Sequence, residues 1–235
     1  MIRTGLIATL IAAIIMGGIS FWAMSALPTS GEVPIHWNAK GEVDGWASPE
    51  EARRFIWMMP GITIFVSLIL ALGAKIDPRQ KNIERSSKAY LAVWIGMLIF
   101  MTFINSLVSY SMIKGSLEPE LTQGFIPSII LGSTSVLFVI IGNYLPKTRS
   151  NWFLGIRTPW TLSSETTWAK THRVTGRLFI AMGILGILSV ILMPLTLQIG
   201  LLVGGPLIIT AFSLIYSYVI WRDAPDRVTT ADYVE

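Results

Sequence analysis

Six stretches of this chain, at about 4–27, 56–74, 89–113, 121–144, 178–197 and 199–220, carry no ionisable side chain in their interiors. A hydrocarbon layer about 30 Å thick is crossed by a helix of about 20 apolar residues, so each stretch is long enough to span. Backbone amides in lipid must be satisfied within the segment, which predicts helices and an all-α, polytopic fold of six transmembrane helices. The 235 residues are 52% hydrophobic and 14% charged, with a mean hydropathy of +0.61, far from the roughly 25% charged composition of soluble domains. The first run exceeds the 7–15 apolar residues of a signal peptide core and leads into "SALPTSGEVP", so it is expected to be a retained span.

The basic residues sort by loop. Arg3, then Lys75, Arg79, Lys81, Arg85 and Lys88, then Lys147, Arg149, Arg157, Lys170, Arg173 and Arg177, and finally Arg222 and Arg227 fall on one side of the spans. Only Lys40, Arg53, Arg54 and Lys114 fall on the other. The positive-inside rule then predicts both termini in the cytoplasm. A net charge of +4 would hint at nucleic acid in a soluble protein, but here the charge marks topology and no direct nucleic-acid contact is expected. With no cysteine, the chain has no disulfide framework, thiol nucleophile or thiolate metal site.

The chain divides into a two-span module, 1–75, around an outer loop at 28–55, and a four-span module, 76–235, with an inner loop at 143–177. An acidic "KGSLEPE" turn joins the middle pair of spans, and an almost uncharged "PLTLQIG" turn joins the last. Glycines at 17, 18, 183, 186, 204 and 205 suit close packing of lipid-embedded helices. Gly204-Gly205-Pro206 could instead break its helix and free backbone groups for a ligand.

The outer loop, "VPIHWNAKGEVDGWASPE", is dense in turn formers. Asn38 to Gly41 and Asp44-Gly45 can each host a turn needing positive φ. Ser48-Pro49-Glu50-Glu51 reads as a helix start, with serine as N-cap, proline at N1 and acids on the positive end. The loop is therefore expected to be ordered. His36, Trp37, Asn38, Gly41 and Asp44 are its candidate ligand-binding residues. His36 could bind metal, act as a base or hold a loop group, but only Glu32, Glu42 and Asp44 could join it as metal ligands. No metal and no cofactor is expected.

The inner loop, "GNYLPKTRSNWFLGIRTPWTLSSETTWAKTHR", exceeds what membrane anchoring requires. Pro146 ends the fourth span, and Lys147 and Arg149 can snorkel to the headgroups. Thr158-Pro159 forces an extended or turn conformation, and Ser163 or Ser164 can cap a helix that begins near Glu165 and runs into the fifth span. On that helix Lys170, Arg173 and Arg177 share one face, while Trp168, His172 and Thr175 share another suited to packing on the loop. The basic face suits anionic headgroups or an acidic partner. Arg157 is suited to tying down loop carbonyls. Asn151, Gly155, Arg157, Thr158, Pro159, Trp160, Thr161, Glu165, Trp168 and His172 are the candidate cytoplasmic docking residues.

Catalysis is not expected. Ser164, Glu165, Thr171 and His172 are present, but no nucleophile elbow, paired-carboxylate spacing, HExxH or phosphate-cradling glycine loop occurs, and His36 and His172 lie on opposite sides of the membrane. Transport is a weaker expectation too, because the spans offer polar groups such as Thr102, Asn105, Ser133, Thr134 and Thr210 but no charge.

"IGNYLPKTRSNWFLGIRTPWTLSSETTWAKTHRVTGRLF" resembles the signature of the SdpI-type bacterial membrane proteins, immunity proteins against a sporulation-delaying peptide toxin. "LPTSGEVPIHWNAKGEVDGWASPE" resembles the module of unknown function that precedes it in that family. The resemblance implies a six-span protein of the bacterial cytoplasmic membrane that protects against a secreted toxin and holds a small repressor protein at the membrane. By that likeness the outer motif would meet the toxin and the inner motif the repressor, with membrane lipids as the remaining partner. A transporter or efflux protein, or an enzyme acting on lipid or peptide through Arg157, Glu165 and His172, is the alternative.

Overall fold

The computed structural model describes residues 1–118 and 125–228. Helix α1 (Ile2–Ala26) leads to a hairpin of β1 (Val33–Trp37) and β2 (Val43–Ala47), then to α2 (Pro49–Phe55) and α3 (Met58–Ile76). A short α4 (Gln80–Arg85) precedes α5 (Ser87–Leu117), and α6 (Phe125–Tyr144) ends in a 3₁₀ turn at Leu145–Lys147. The inner loop holds a one-turn α7 (Pro159–Leu162), and α8 (Glu165–Leu192) and α9 (Leu195–Arg222) complete the bundle. Among the described residues six helical segments are long and apolar enough to cross a membrane, so the all-α, six-span architecture holds. Residues 119 and 120 of the acidic turn, and the first four residues of the expected fourth span, lie outside the described residues.

Glycine sets the tightest helix contacts. A Cβ on Gly142 of α6 would lie 2.6 Å from the Gly176 carbonyl oxygen of α8, and a Cβ on Gly176 equally close to the Gly142 carbonyl. Gly183 repeats this against the Ser135 carbonyl two turns further along, again at 2.6 Å. Without a hydrophobic force between helices in lipid, such backbone approach supplies the packing contacts. Gly5 of α1 likewise leaves room for Trp94 of α5.

Two expectations and one alternative are corrected. The last two spans are joined at Met193-Pro194, because proline ends α8 and Leu195 onward is already helix. Residues 195–200 of the uncharged "PLTLQIG" segment therefore belong to α9, where hydropathy alone sees no boundary. Helix α9 also runs through Pro206 without a break. Asp44 and Gly45 do not form a turn; they lie in β2, where a Cβ at Gly45 would sit 2.7 Å from the His36 Cβ across the strands.

Two buried clusters mark the bundle's ends. At the hairpin end, Ala23, Leu27, Val33, Ala52, Ile56 and Met112 pack together, with Ile35, Trp37 and Phe55 against them. At the other end, Ile83, Tyr90 and Trp94 pack with Ala71 and Ala74, and Met1, Phe153 and Leu154 close over them.

Candidate functional site

The hairpin end is built from local rules. Asn38 closes the connection between the strands: its side-chain oxygen accepts from the amides of Lys40 (2.8 Å) and Glu42 (3.1 Å), and its amide nitrogen donates to the Glu42 carboxylate. Gly41 turns the chain at φ +81°, where other residues are strained. His36 Nδ1 and the Asp44 carboxylate meet at 2.5 Å, both exposed. The two strands thus bring His36, Asn38, Gly41 and Asp44 into one patch, and the described residues contain no group of three metal-ligating side chains.

Beneath the hairpin the chain enters α2 through a complete capping box. The Ser48 hydroxyl and amide both donate to Glu51, which holds that carboxyl below its usual range. Arg53 then donates to the Met24 carbonyl in the last turn of α1 and to the Leu27 and Pro28 carbonyls just past it, a cation on the negative end of a helix. Trp37 turns inward and forms one wall of an apolar chamber of about 350 Å³ with Phe55, Met58, Val108, Ile130 and Ile199.

The inner loop is held by long-range bonds. Thr148 follows the 3₁₀ turn, and its carbonyl accepts the Trp168 indole N–H at 2.9 Å. Asn151, buried, is a hub: its oxygen accepts from the amides of Phe153 and Leu154, and its nitrogen donates to the carbonyls of Arg149 and Leu154. Gly155 sits at φ +127°, and a Cβ there would lie 2.3 Å from His172 Nε2. His172 is fully buried and stacked on Trp168. Its Nε2 accepts the Ile156 amide at 2.9 Å and its Nδ1 donates to the Trp168 carbonyl at 2.8 Å, so the imidazole is neutral with both nitrogens occupied.

Thr158 caps α7 reciprocally with Thr161, and its hydroxyl also meets Ser217 of α9 at 3.1 Å. Ser164 caps α8 through the Thr167 amide. The second half of the expectation for this helix holds as well: Trp168, His172 and Thr175 are buried, while Lys170, Arg173 and Arg177 are exposed. Arg157 donates to the Trp152 carbonyl, as its suitability for tying down carbonyls predicts.

Further straps come from the end of α3 and the stretch that joins it to α5. Phe153 lies over Gly73 of α3, where a Cβ would clash with the ring. Asp77, buried at the end of α3, accepts the amides of Arg79 (2.6 Å) and Trp152 (2.7 Å). Arg79 donates to the Ser150 hydroxyl and to the Leu162 carbonyl, Asn82 donates to the Ser150 carbonyl, and Ser86 accepts the Arg149 amide. Spacing along the chain gave no sign of these straps, since the partners lie 63 to 83 residues apart.

The ten docking candidates therefore divide by position. Asn151, Thr158, Thr161, Trp168 and His172 are buried and shape the loop, and Gly155 provides its closest turn. Arg157, Pro159, Trp160 and Glu165 reach the surface, joined by Trp152, which spacing did not single out. Arg157, Pro159, Glu165 and Trp152 border a polar cleft of about 1300 Å³ that also takes in Lys81 and Asp226. Of the residues that could serve acid–base chemistry, His172 has no free nitrogen, and Ser164 both accepts from Thr167 and donates to Asp226. The cleft is suited to binding polar groups.

The architecture defines a multi-pass helical membrane protein with a folded hairpin at one end and a clasped polar loop at the other. Residues 147–217 match the SdpI/YfhL protein family, and residues 11–64 match a domain of unknown function, DUF1648. Over these stretches the chain is similar to the SdpI-type proteins, and it is a multi-pass protein of the bacterial cell membrane. It is 26% identical over 159 residues to the Immunity protein SdpI of Bacillus subtilis (strain 168), covering 67% of this chain and 69% of that protein. No solved structure matches it.

Proposed function

We propose that this chain is a membrane immunity protein that works by binding rather than catalysis. The observation that carries the proposal is the similarity to an immunity protein across two thirds of the chain, including the clasped inner loop. The distribution of basic residues supports a cytoplasmic inner loop and cytoplasmic termini, with the hairpin outside. In this arrangement a secreted peptide toxin meets His36, Trp37, Asn38, Gly41 and Asp44, and the apolar chamber behind Trp37 accepts its nonpolar side chains. The cleft at Trp152, Arg157, Pro159 and Glu165 holds a cytoplasmic protein, a repressor in the SdpI-type scheme. The chain then works as two modules, 1–75 for the outer contact and 76–235 for the inner one.

Expression in toxin-sensitive cells tests the immunity role: the intact chain raises survival and a His36→Ala/Trp37→Ala variant does not, at equal membrane abundance. Killing that is unchanged by the abundant intact chain removes it.

A further inference from the structure

The segment after α9 folds back across the start of α8. Asp223 ends the helix, Ala224 is buried, and Pro225 turns the chain. The Asp226 carboxylate then accepts the Ser164 hydroxyl at 2.7 Å with one oxygen and the Thr166 amide at 3.0 Å with the other. Two residues on, the Val228 amide donates to the Ser163 carbonyl at 3.0 Å. Residue 226 meets 164 and 166 while 228 meets 163, so the two segments run in opposite directions.

These are the two elements by which a groove holds a peptide: a charge anchor and a backbone bond. The anchor is well chosen, because α8 is 28 residues long and its first amides form a partial positive charge that a carboxylate complements. Arg222 and Arg227 sit outside the contact: Arg227 donates to the Arg222 carbonyl and lies over the Trp221 ring. Asp226 and Val228 also border the cleft with Arg157, Trp152 and Lys81.

We propose that the start of α8 is a docking site for an acidic peptide segment, and that residues 224–228 are its resident occupant. The proposal rests on the inner loop being a docking element. It specifies the partner: an Asp or Glu to fill the Asp226 position, followed two residues later by a residue other than proline, because that amide must donate to Ser163. Lys81 and Arg157 at the cleft favour further acidic residues. The tail is tethered, and short tethers give millimolar effective concentrations, so a partner engages only by outcompeting it.

The test uses the full chain in lipid nanodiscs and a fluorescent synthetic peptide with the sequence of residues 221–228. Asp226→Ala, which unlatches the tail, binds the peptide at least tenfold more tightly than the unmodified chain. A peptide carrying Asn at the Asp226 position loses that binding. Val228→Pro alters only the tail and unmasks the site in the same direction, which separates unlatching from any fault in folding Asp226→Ala. Equal affinity for all three chains, or no binding to either variant, overturns the proposal. Toxin survival reports separately on the outer reading, so failure of one leaves the other measurable.

Discussion

The hairpin and the inner loop are both ordered, yet they are held in opposite ways. The side-chain bonds within the hairpin join residues no more than eight apart, among them His36 with Asp44 and Asn38 with Glu42, and its two strands pair with each other. The inner loop is held by partners as far as 83 residues away, through Asp77, Arg79, Asn82 and Ser86. A locally closed element keeps its own shape and leaves its side chains exposed for contact. An element closed from a distance keeps its shape only while the rest of the bundle is assembled, so changes in the loop fall on stability as well as on binding.

That contrast can be broken most severely at glycine. Gly155→Ala is expected to destabilise the protein by about 2–4 kcal/mol, since it places a Cβ on the His172 nitrogen at a positive φ. Gly41→Ala, also at positive φ but on the hairpin, costs about 1–2 kcal/mol. Thermal unfolding in one detergent orders the two, and a reversed order refutes the contrast. Asp77→Ala leaves two half-buried amides without their acceptor and costs about 1–3 kcal/mol, whereas Asp77→Asn retains one acceptor and costs less. Hydrogen exchange at Trp152 reads this directly: unchanged protection in Asp77→Ala removes the strap.

His172→Gln, which can still accept from Ile156, is expected to keep more of the loop's protection than His172→Leu. Equal loss in both sinks the acceptor role.

Smaller still is a pH effect at the tail. Burial by itself would raise the Asp226 pKa, but hydrogen bonds from the Ser164 hydroxyl and the Thr166 amide outweigh it and hold the pKa below its ordinary value of 3.8. A depressed carboxylate adds stability above its unfolded value and loses it as pH falls through the lower folded value, so the latch is complete at neutral pH and weakens only once pH falls below the ordinary carboxylate value. Exchange at Thr166 between pH 7 and 3 follows it; opening already at pH 6 contradicts this assignment. His36→Ala, on the exposed hairpin, shifts stability by less than about 0.5 kcal/mol, and a larger loss means the hairpin bears more of the fold than its local bonds indicate.

Much of the fold could be read from charge-free runs, since a membrane span is a local property of about 20 residues. So could the caps at Ser48 and at the Ser163-Ser164 pair, of which Ser164 is the cap, because a serine before a helical run and an acid or amide near it are neighbours in sequence. The hairpin itself was harder: its strands are five residues each and contain Pro34 and Gly45, so only its ordered character showed. The straps from Asp77, Arg79 and Asp226 left no trace, as each pairs residues that only the folded bundle brings together. The inner candidates named by motif were largely its supports, while Trp152 and Asp226 lay outside any recognisable spacing.

Helix α3 has a consequence of its own. It follows α2 at the hairpin end and ends at Asp77, which grips the Trp152 amide, while Gly73 one turn earlier seats Phe153. Its 19 residues form a rod of about 28 Å. A strut anchored at both ends passes on tilt and translation but cannot absorb them, so a load applied at the hairpin end arrives at the inner loop as displacement of two aromatic residues.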